Sequence, residues 1–99
     1  MPICMTASFL IKAGSLDRVV AAVEEFVGEM RRSEPGTAVY LSLQDRVNPL
    51  RFMHLIVFED ERANDMHHDA PATRRFTERL TPELQGEVKF GDFVVVASK

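Results

Sequence analysis

The sequence predicts an α+β domain with the element order βαββαβ. Two amphipathic helical segments are each flanked by extended apolar segments, and only five residues separate the second extended segment from the third. Such a short connection favours an antiparallel hairpin, and a chain of this order folds as a split βαβ pair. We therefore predict the ferredoxin-like arrangement, a four-stranded antiparallel sheet with the helices on one face, as a single domain over residues 1–99.

The first half of the chain is predicted to form one strand and one helix. Residues 3–12 are rich in apolar and β-tolerant residues, which is typical of a strand. Ser15 stands at the expected N-cap of the helix, and Asp17 in the first turn complements the helix dipole. The apolar positions of this helix recur at helical spacing and are Leu16, Val19, Val20, Val23, Phe26, Val27 and Met30. Pro35 disfavours helical geometry at the residue before it and Gly36 permits a sharp turn, so the helix is expected to end there.

The second half is predicted to form a hairpin, a second helical segment and a last strand. Residues 37–44 and 50–59 are the two hairpin strands, joined by a loop that contains Asn-Pro. Asp60 is the expected N-cap of the helical segment, which Pro71 interrupts and which continues after it. Residues 87–97 form the fourth strand.

Both faces of the predicted sheet are apolar. The third strand has one set of side chains at Met53, Leu55 and Val57 and the alternate set at Phe52, His54, Ile56 and Phe58. An antiparallel sheet with one face in water alternates between apolar and polar residues, and helices on one side leave the other side as a large exposed apolar patch. We therefore expect a homodimer that forms through the sheet face. A strand register that hides more of these side chains is the alternative.

The charge and the cysteine content restrict function and location. The net charge is −3, and acidic residues surround the arginine pairs Arg31-Arg32 and Arg74-Arg75, so no basic face for nucleic acid is expected. The single cysteine, Cys4, excludes an internal disulfide and fits a reducing cytoplasm. No basic segment precedes the first apolar residues and no apolar run approaches about 20 residues, so neither a secretory signal nor a membrane span is expected.

Two histidines and one tyrosine are candidate site residues. His67 lies on the same helical face as Ala63, Met66 and Ala70 and is expected to point at the sheet, whereas His68 should meet solvent. His54 lies within one apolar face of the third strand, where a buried, neutral, hydrogen-bonded imidazole is the alternative to a catalytic one. Tyr40 either orients a ligand or makes a hydrogen bond at the rim of the core. No HExxH, CxxC, GxGxxG or Walker spacing is present, so we expect neither a metal nor a nucleotide or flavin cofactor.

Three segments together resemble the antibiotic biosynthesis monooxygenase (ABM) family. They are residues 34–40 (EPGTAVY), 48–52 (NPLRF) and 59–67 (EDERANDMH), and a phenylalanine, Phe76, follows nine residues later. The resemblance covers residues 3–97 and implies a dimeric α/β barrel. It also implies oxygenation of aromatic polyketides, anthrones or quinols without metal or flavin. In that chemistry a deprotonated phenol or enol reacts with O₂, while the protein supplies a base, orientation and a dry pocket.

Carried onto this sequence, the resemblance makes His67 the acid/base or orienting residue and Tyr40 the tyrosine that follows the EPG motif. His54 is then a polar pocket residue, and Phe58 and Phe76 are apolar walls.

The sequence departs from the family pattern in the third strand. Family members commonly have Glu late in this strand and Trp two residues later, where this chain has Ile56 and Phe58. We therefore expect His67 to lack its usual orienting carboxylate. The haem-degrading branch of the family is disfavoured, because the chain has no Trp and Thr77 stands where an axial His is required.

The expected function is a cofactor-independent monooxygenase that oxidises a small aromatic, phenolic or quinol substrate in a pocket between sheet and helices. The missing Glu and Trp leave open a non-catalytic small-ligand-binding or stress-response module. An isomerase or lyase-like use of the pocket is a third reading, because fold does not determine chemistry.

Overall fold

The fold was obtained as a computed structural model that describes residues 1–99. Its elements are β1 (Ile3–Leu10), α1 (Leu16–Ser33), β2 (Thr37–Gln44), β3 (Arg51–Phe58), α2 (Glu61–Asp69), α3 (Pro71–Leu80), a 3-10 turn (Thr81–Glu83) and β4 (Lys89–Val94). The four strands are antiparallel in the order β2-β3-β1-β4. The predicted ferredoxin-like α+β fold is therefore confirmed. None of the helices combines the length and apolar character needed to cross a bilayer.

The second helical segment is two helices. Asp60 caps α2, and its carboxylate accepts a hydrogen bond from the Ala63 N–H at 2.9 Å, as predicted. Ala70 then adopts extended geometry, with φ −66° and ψ 140°, because the ring of the following proline disfavours helical geometry there. Pro71 begins α3, a position where its missing N–H costs nothing. At α1, by contrast, the Ser15 side chain at the N-cap makes no capping hydrogen bond.

Three strands are shorter than predicted. The third strand covers Arg51–Phe58 rather than residues 50–59. The first strand ends at Leu10 rather than at residue 12, because Ile11 makes only an isolated bridge to Leu84. The fourth strand covers residues 89–94 rather than 87–97. Its register pairs Val94 with Ile3, the first residue of β1, so β4 has no neighbouring strand beyond that point.

The helices cover one face of the sheet and form the core there. The main cluster of buried apolar side chains is Phe9, Ile11, Val19, Ala22, Val23, Phe26, Met30, Phe52, Ala72, Phe76 and Leu80. Stacked ring pairs lie within each layer of this core: Phe9 with Phe52 in the sheet, and Phe26 of α1 with Phe76 of α3, at a centroid distance of 4.5 Å.

The opposite face of the sheet carries no helix. We call it the outer face, and its apolar members are Cys4, Leu10, Val39, Leu41, Leu43, Met53, Leu55, Val57 and Phe93. Leu41 is 47% exposed and Phe93 is 55% exposed. The strand registers align these side chains across the sheet, so the second apolar face predicted from the alternation is present.

Candidate functional site

A cavity of about 210 Å³ lies between the sheet and the helices, and its lining is mostly hydrophobic. An apolar cavity of about 150 Å³ is large enough to hold benzene, so this volume suits one substituted aromatic ring. All five residues that the sequence singled out line it, namely Tyr40, His54, Phe58, His67 and Phe76. Ile56, at the position where the family commonly has Glu, also lines the cavity.

His67 is held by a carboxylate that the sequence did not identify. Its Nδ1 lies 2.9 Å from Glu34 Oε1, and the two side chains are only 7% and 10% exposed. The Thr37 hydroxyl donates to the same oxygen at 3.2 Å. The expectation that His67 lacks an orienting carboxylate is therefore wrong. The carboxylate comes from the EPG turn after α1, and not from β3, where Ile56 stands.

Close packing of two motif residues explains how the chain brings Glu34 and His67 together. A Cβ on Gly36 would lie 2.8 Å from the Cβ of Ala63, so α2 approaches the EPG turn only because residue 36 is glycine. The Gly36 carbonyl also accepts a hydrogen bond from the Glu59 N–H at 3.0 Å, which ties the turn to the end of β3. The helix that carries His67 is thus docked against the turn that carries Glu34.

His67 lines the cavity with a buried imidazole. Burial lowers its pKa, and this outweighs the opposing effect of the Glu34 carboxylate, so the pKa of His67 lies below its ordinary value. In the neutral ring the Nδ1–H donates to Glu34, which leaves the lone pair on Nε2. Nε2 has no hydrogen-bond partner in the protein and is not a fully enclosed atom. A neutral imidazole that lines an apolar cavity and has a free Nε2 can accept a proton from a bound ligand.

His54 has two hydroxyl partners. Its Nδ1 lies 2.7 Å from the Tyr40 hydroxyl oxygen, and its Nε2 lies 2.9 Å from Ser42 Oγ. Burial lowers the pKa of His54 to about 4, and burial together with the charge of Glu34 raises the pKa of Tyr40. Both groups are therefore neutral at pH 7. Ser42 was not singled out from sequence, although its position two residues from Tyr40 on the same strand face was visible there.

His68 is exposed, as expected, but it also borders the cavity, with its ring 5.8 Å from that of His67. No group of three or more His, Cys, Asp or Glu side chains is arranged to hold a metal ion.

Residues 2–79 match the model of the family described as antibiotic biosynthesis monooxygenase. No curated protein sequence matches the chain. A crystal structure of an antibiotic biosynthesis monooxygenase is 22% identical, with a TM-score of 0.87 and coverage of 96% of this chain and 99% of that chain.

Two further structures are similar. A Bacteroides thetaiotaomicron protein, described as a candidate member of the same family, is 20% identical with a TM-score of 0.88, covering 97% of this chain and 90% of its own. Rv0793 from Mycobacterium tuberculosis is 14% identical with a TM-score of 0.89, covering 99% and 98%. At these identities the structures establish the fold.

Proposed function

The chain belongs to the antibiotic biosynthesis monooxygenase family, and from that premise we propose that it is a cofactor-independent monooxygenase. Its substrate would be a small aromatic, phenolic or quinol compound, oxidised by O₂ in the cavity between sheet and helices. The observation that carries the proposal is the neutral His67, oriented by Glu34, with a free Nε2 on an apolar cavity the size of one ring.

The proposed reaction begins with proton transfer. His67 Nε2 takes the proton of a substrate hydroxyl, and the imidazolium that forms is stabilised by Glu34, whose carboxylate is 2.9 Å from Nδ1. The substrate anion gives one electron to O₂, and the two radicals combine to form a carbon–oxygen bond. The peroxide then takes the proton back from His67. Cleavage of the oxygen–oxygen bond with loss of water leaves a new carbonyl on the substrate.

The other cavity residues position the substrate. Phe58 is fully buried with its ring 5.3 Å from that of His67, and Phe76 stacks at 5.8 Å on His54. These rings offer flat apolar surfaces to an aromatic substrate. Tyr40 also lines the cavity, with its ring centroid 6.0 Å from that of His67, and its hydroxyl orients the substrate by a hydrogen bond.

The partner we propose is a second copy of the chain, docked on the outer face, so that the protein works as a homodimer. The support is the row of half-exposed apolar side chains that no helix covers. Since the chain has one cysteine and no disulfide, we assign it to the cytoplasm.

The test of the catalytic proposal is oxygen uptake with a panel of hydroquinones and anthrones. His67→Ala should lower uptake on the order of 10²-fold or more while leaving the fold intact, because it removes the base. Asp65→Ala, at an exposed site on the same helix with no hydrogen bond, is the matched control and should keep full uptake. Undiminished turnover by His67→Ala would show that the base lies elsewhere.

A non-catalytic ligand-binding module is the second candidate. The apolar Ile56 and Phe58, where the family commonly has Glu and Trp, favour it. If the wild-type protein binds members of the panel in calorimetry but consumes no O₂, this second function replaces the first.

A further inference from the structure

Three side chains form a continuous series of hydrogen bonds through the wall of the cavity. The Tyr40 hydroxyl contacts His54 Nδ1 at 2.7 Å, and His54 Nε2 contacts Ser42 Oγ at 2.9 Å. His54 is 2% exposed. A proton that moves along this chain must therefore cross the imidazole ring itself.

The two ends of this hydrogen-bonded series differ in whether they reach the cavity. Tyr40 and His54 line the cavity. Ser42 does not line the cavity but lies on an open groove bounded by Glu24 and Arg31 of α1 and Gln44 of β2, a groove that Tyr40 also lines. Ser42 is half-buried and faces this α1–β2 groove from the edge strand of the sheet.

From this arrangement we propose that Tyr40, His54 and Ser42 are a proton relay between the cavity and the solvent of the α1–β2 groove. The proposal rests on the proposed function and adds to it a second route for protons, separate from His67. In the outward direction a substrate hydroxyl gives its proton to Tyr40, and Tyr40 gives its own to His54 Nδ1. His54 Nε2–H then passes to Ser42, and the Ser42 proton goes to water in the groove. The products are the substrate anion and a hydrated proton, and all three residues end neutral.

Both tautomers of His54 keep the hydrogen bonds to Tyr40 and Ser42. If Nδ1 accepts from Tyr40, the Nε2–H donates to Ser42. If Ser42 donates to Nε2, the Nδ1–H donates to Tyr40 and frees the tyrosine proton for a ligand. Two hydroxyls are each donor and acceptor, so the ring can change tautomer without moving. His67 differs, because a carboxylate only accepts and fixes one tautomer.

The electrostatics favour transfer without charged intermediates. The pKa of His54 is lowered and that of Tyr40 is raised, so neither imidazolium nor tyrosinate is favoured in the wall. A concerted shift along the chain avoids both species.

A substrate with two hydroxyls needs a second route for protons besides His67, and the relay supplies it. In the oxidation of a quinol by O₂ to a hydroxyquinone and water, both hydroxyl protons leave their oxygens and the net reaction releases none. His67 takes the proton of one hydroxyl and the relay takes the proton of the other. The relay carries this proton outward when the hydroxyl ionises and inward when water forms.

The first test needs no substrate. In protein with ¹⁵N-labelled histidine, exchange of the His54 ring proton with water is measured by NMR for wild type, Ser42→Ala and Ser42→Thr. Loss of the hydroxyl should slow exchange about tenfold, the factor that one hydrogen bond in the transition state supplies, and threonine should restore it. Ser33→Ala, which removes an exposed hydroxyl bonded to the Glu29 carbonyl, should have no effect. A ring proton that exchanges equally fast in Ser42→Ala overturns the relay, as does one too fast to observe in both proteins.

The second test separates the relay from the proposed function. With a quinol that wild type oxidises, Ser42→Ala should lower kcat about tenfold with a larger solvent isotope effect and an unchanged KM, and Ser42→Thr should recover it. If wild type oxidises nothing but ring exchange depends on Ser42, the relay stands and the oxygenase assignment fails. If wild type turns over and neither readout depends on Ser42, the relay fails and the oxygenase assignment stands.

Discussion

The two histidines of the cavity differ because their hydrogen-bond partners differ. His67 shares its Nδ1 proton with a carboxylate, which fixes the tautomer and supports the positive charge that forms when Nε2 is protonated. His54 lies between two hydroxyls that support neither charge nor a single tautomer. The first arrangement suits a base, and the second suits a neutral conductor of protons.

Replacing Glu34 by glutamine should weaken His67 as a base. The amide oxygen still accepts the Nδ1 proton, but the negative charge that raises the pKa of His67 is gone. The pKa of His67 should therefore fall further, which an NMR titration of the labelled ring measures. Oxygen uptake should fall on the order of 10²-fold, with the acidic limb of its pH profile moved to lower pH.

Glu61→Gln is the control for this change, because it removes an exposed carboxylate from the first turn of the same helix. It should leave both the titration and the uptake as they are in wild type. An unchanged His67 pKa in Glu34→Gln would contradict the assigned role of Glu34.

His54 should make the free energy of unfolding depend on pH. Its pKa is about 4 in the folded protein and about 6.5 in the unfolded chain, so between these values the unfolded state binds more protons. Stability is therefore complete above pH 6.5 and is lost as the pH falls towards 4, by on the order of 3 kcal/mol. Urea unfolding at a series of pH values measures the slope. His54→Asn, which does not titrate, should flatten it, and an equal slope in that variant would assign the dependence to other groups.

At the scale of elements, the site depends on how α2 docks against the turn after α1. Gly36 does not have a positive φ. Its role is to leave room for Ala63, whose Cβ would lie 2.8 Å from a Cβ at position 36. The glycine of one motif and the alanine of the other are thus one contact, and that contact sets the position of His67.

Gly36→Ala should destabilise the fold by about 1–3 kcal/mol, because both colliding atoms are attached directly to backbone. Adding Ala63→Gly should recover part of this loss, and a double-mutant cycle in urea unfolding measures the coupling. Gly28→Ala is the matched control, because its new Cβ meets only the flexible Arg32 guanidinium at 3.5 Å. It should be neutral or stabilising by up to about 1 kcal/mol. Independent effects of the two changes at positions 36 and 63 would show that the contact does not matter.

The elements could be predicted from sequence because their signals are local. The bounds of β2 and the break before Pro71 follow from alternation and from proline geometry. The ends of β1 and β4 could not be predicted, because they depend on where a neighbouring strand stops. In the site, helical phase placed His67 on the cavity. Its partner Glu34 is 33 residues away, and only the docking of α2 brings the two side chains together.

The whole molecule has two apolar faces with different surroundings. The helix face encloses the core and the cavity, whereas the outer face carries Val39, Leu41 and Leu43 at 39%, 47% and 42% exposure. A soluble monomer rarely leaves such a contiguous patch in water. A second copy of the chain has the same flat apolar surface, so docking outer face to outer face covers both at once.

The homodimer should be stable at micromolar concentration. Sedimentation should give about twice the chain mass of 11.2 kDa, and the thermal unfolding midpoint should rise with protein concentration. Leu41→Lys should give a folded monomer. Leu41 is already half-exposed in the single chain, so the charge of the new lysine disturbs only the contact with the partner. Val47→Lys is the matched control, since Val47 is 93% exposed and lies in the loop between β2 and β3 rather than on a strand of the outer face. It should remain dimeric. A wild-type monomer whose thermal unfolding midpoint does not change with protein concentration would instead mean that the outer face stays exposed in solution.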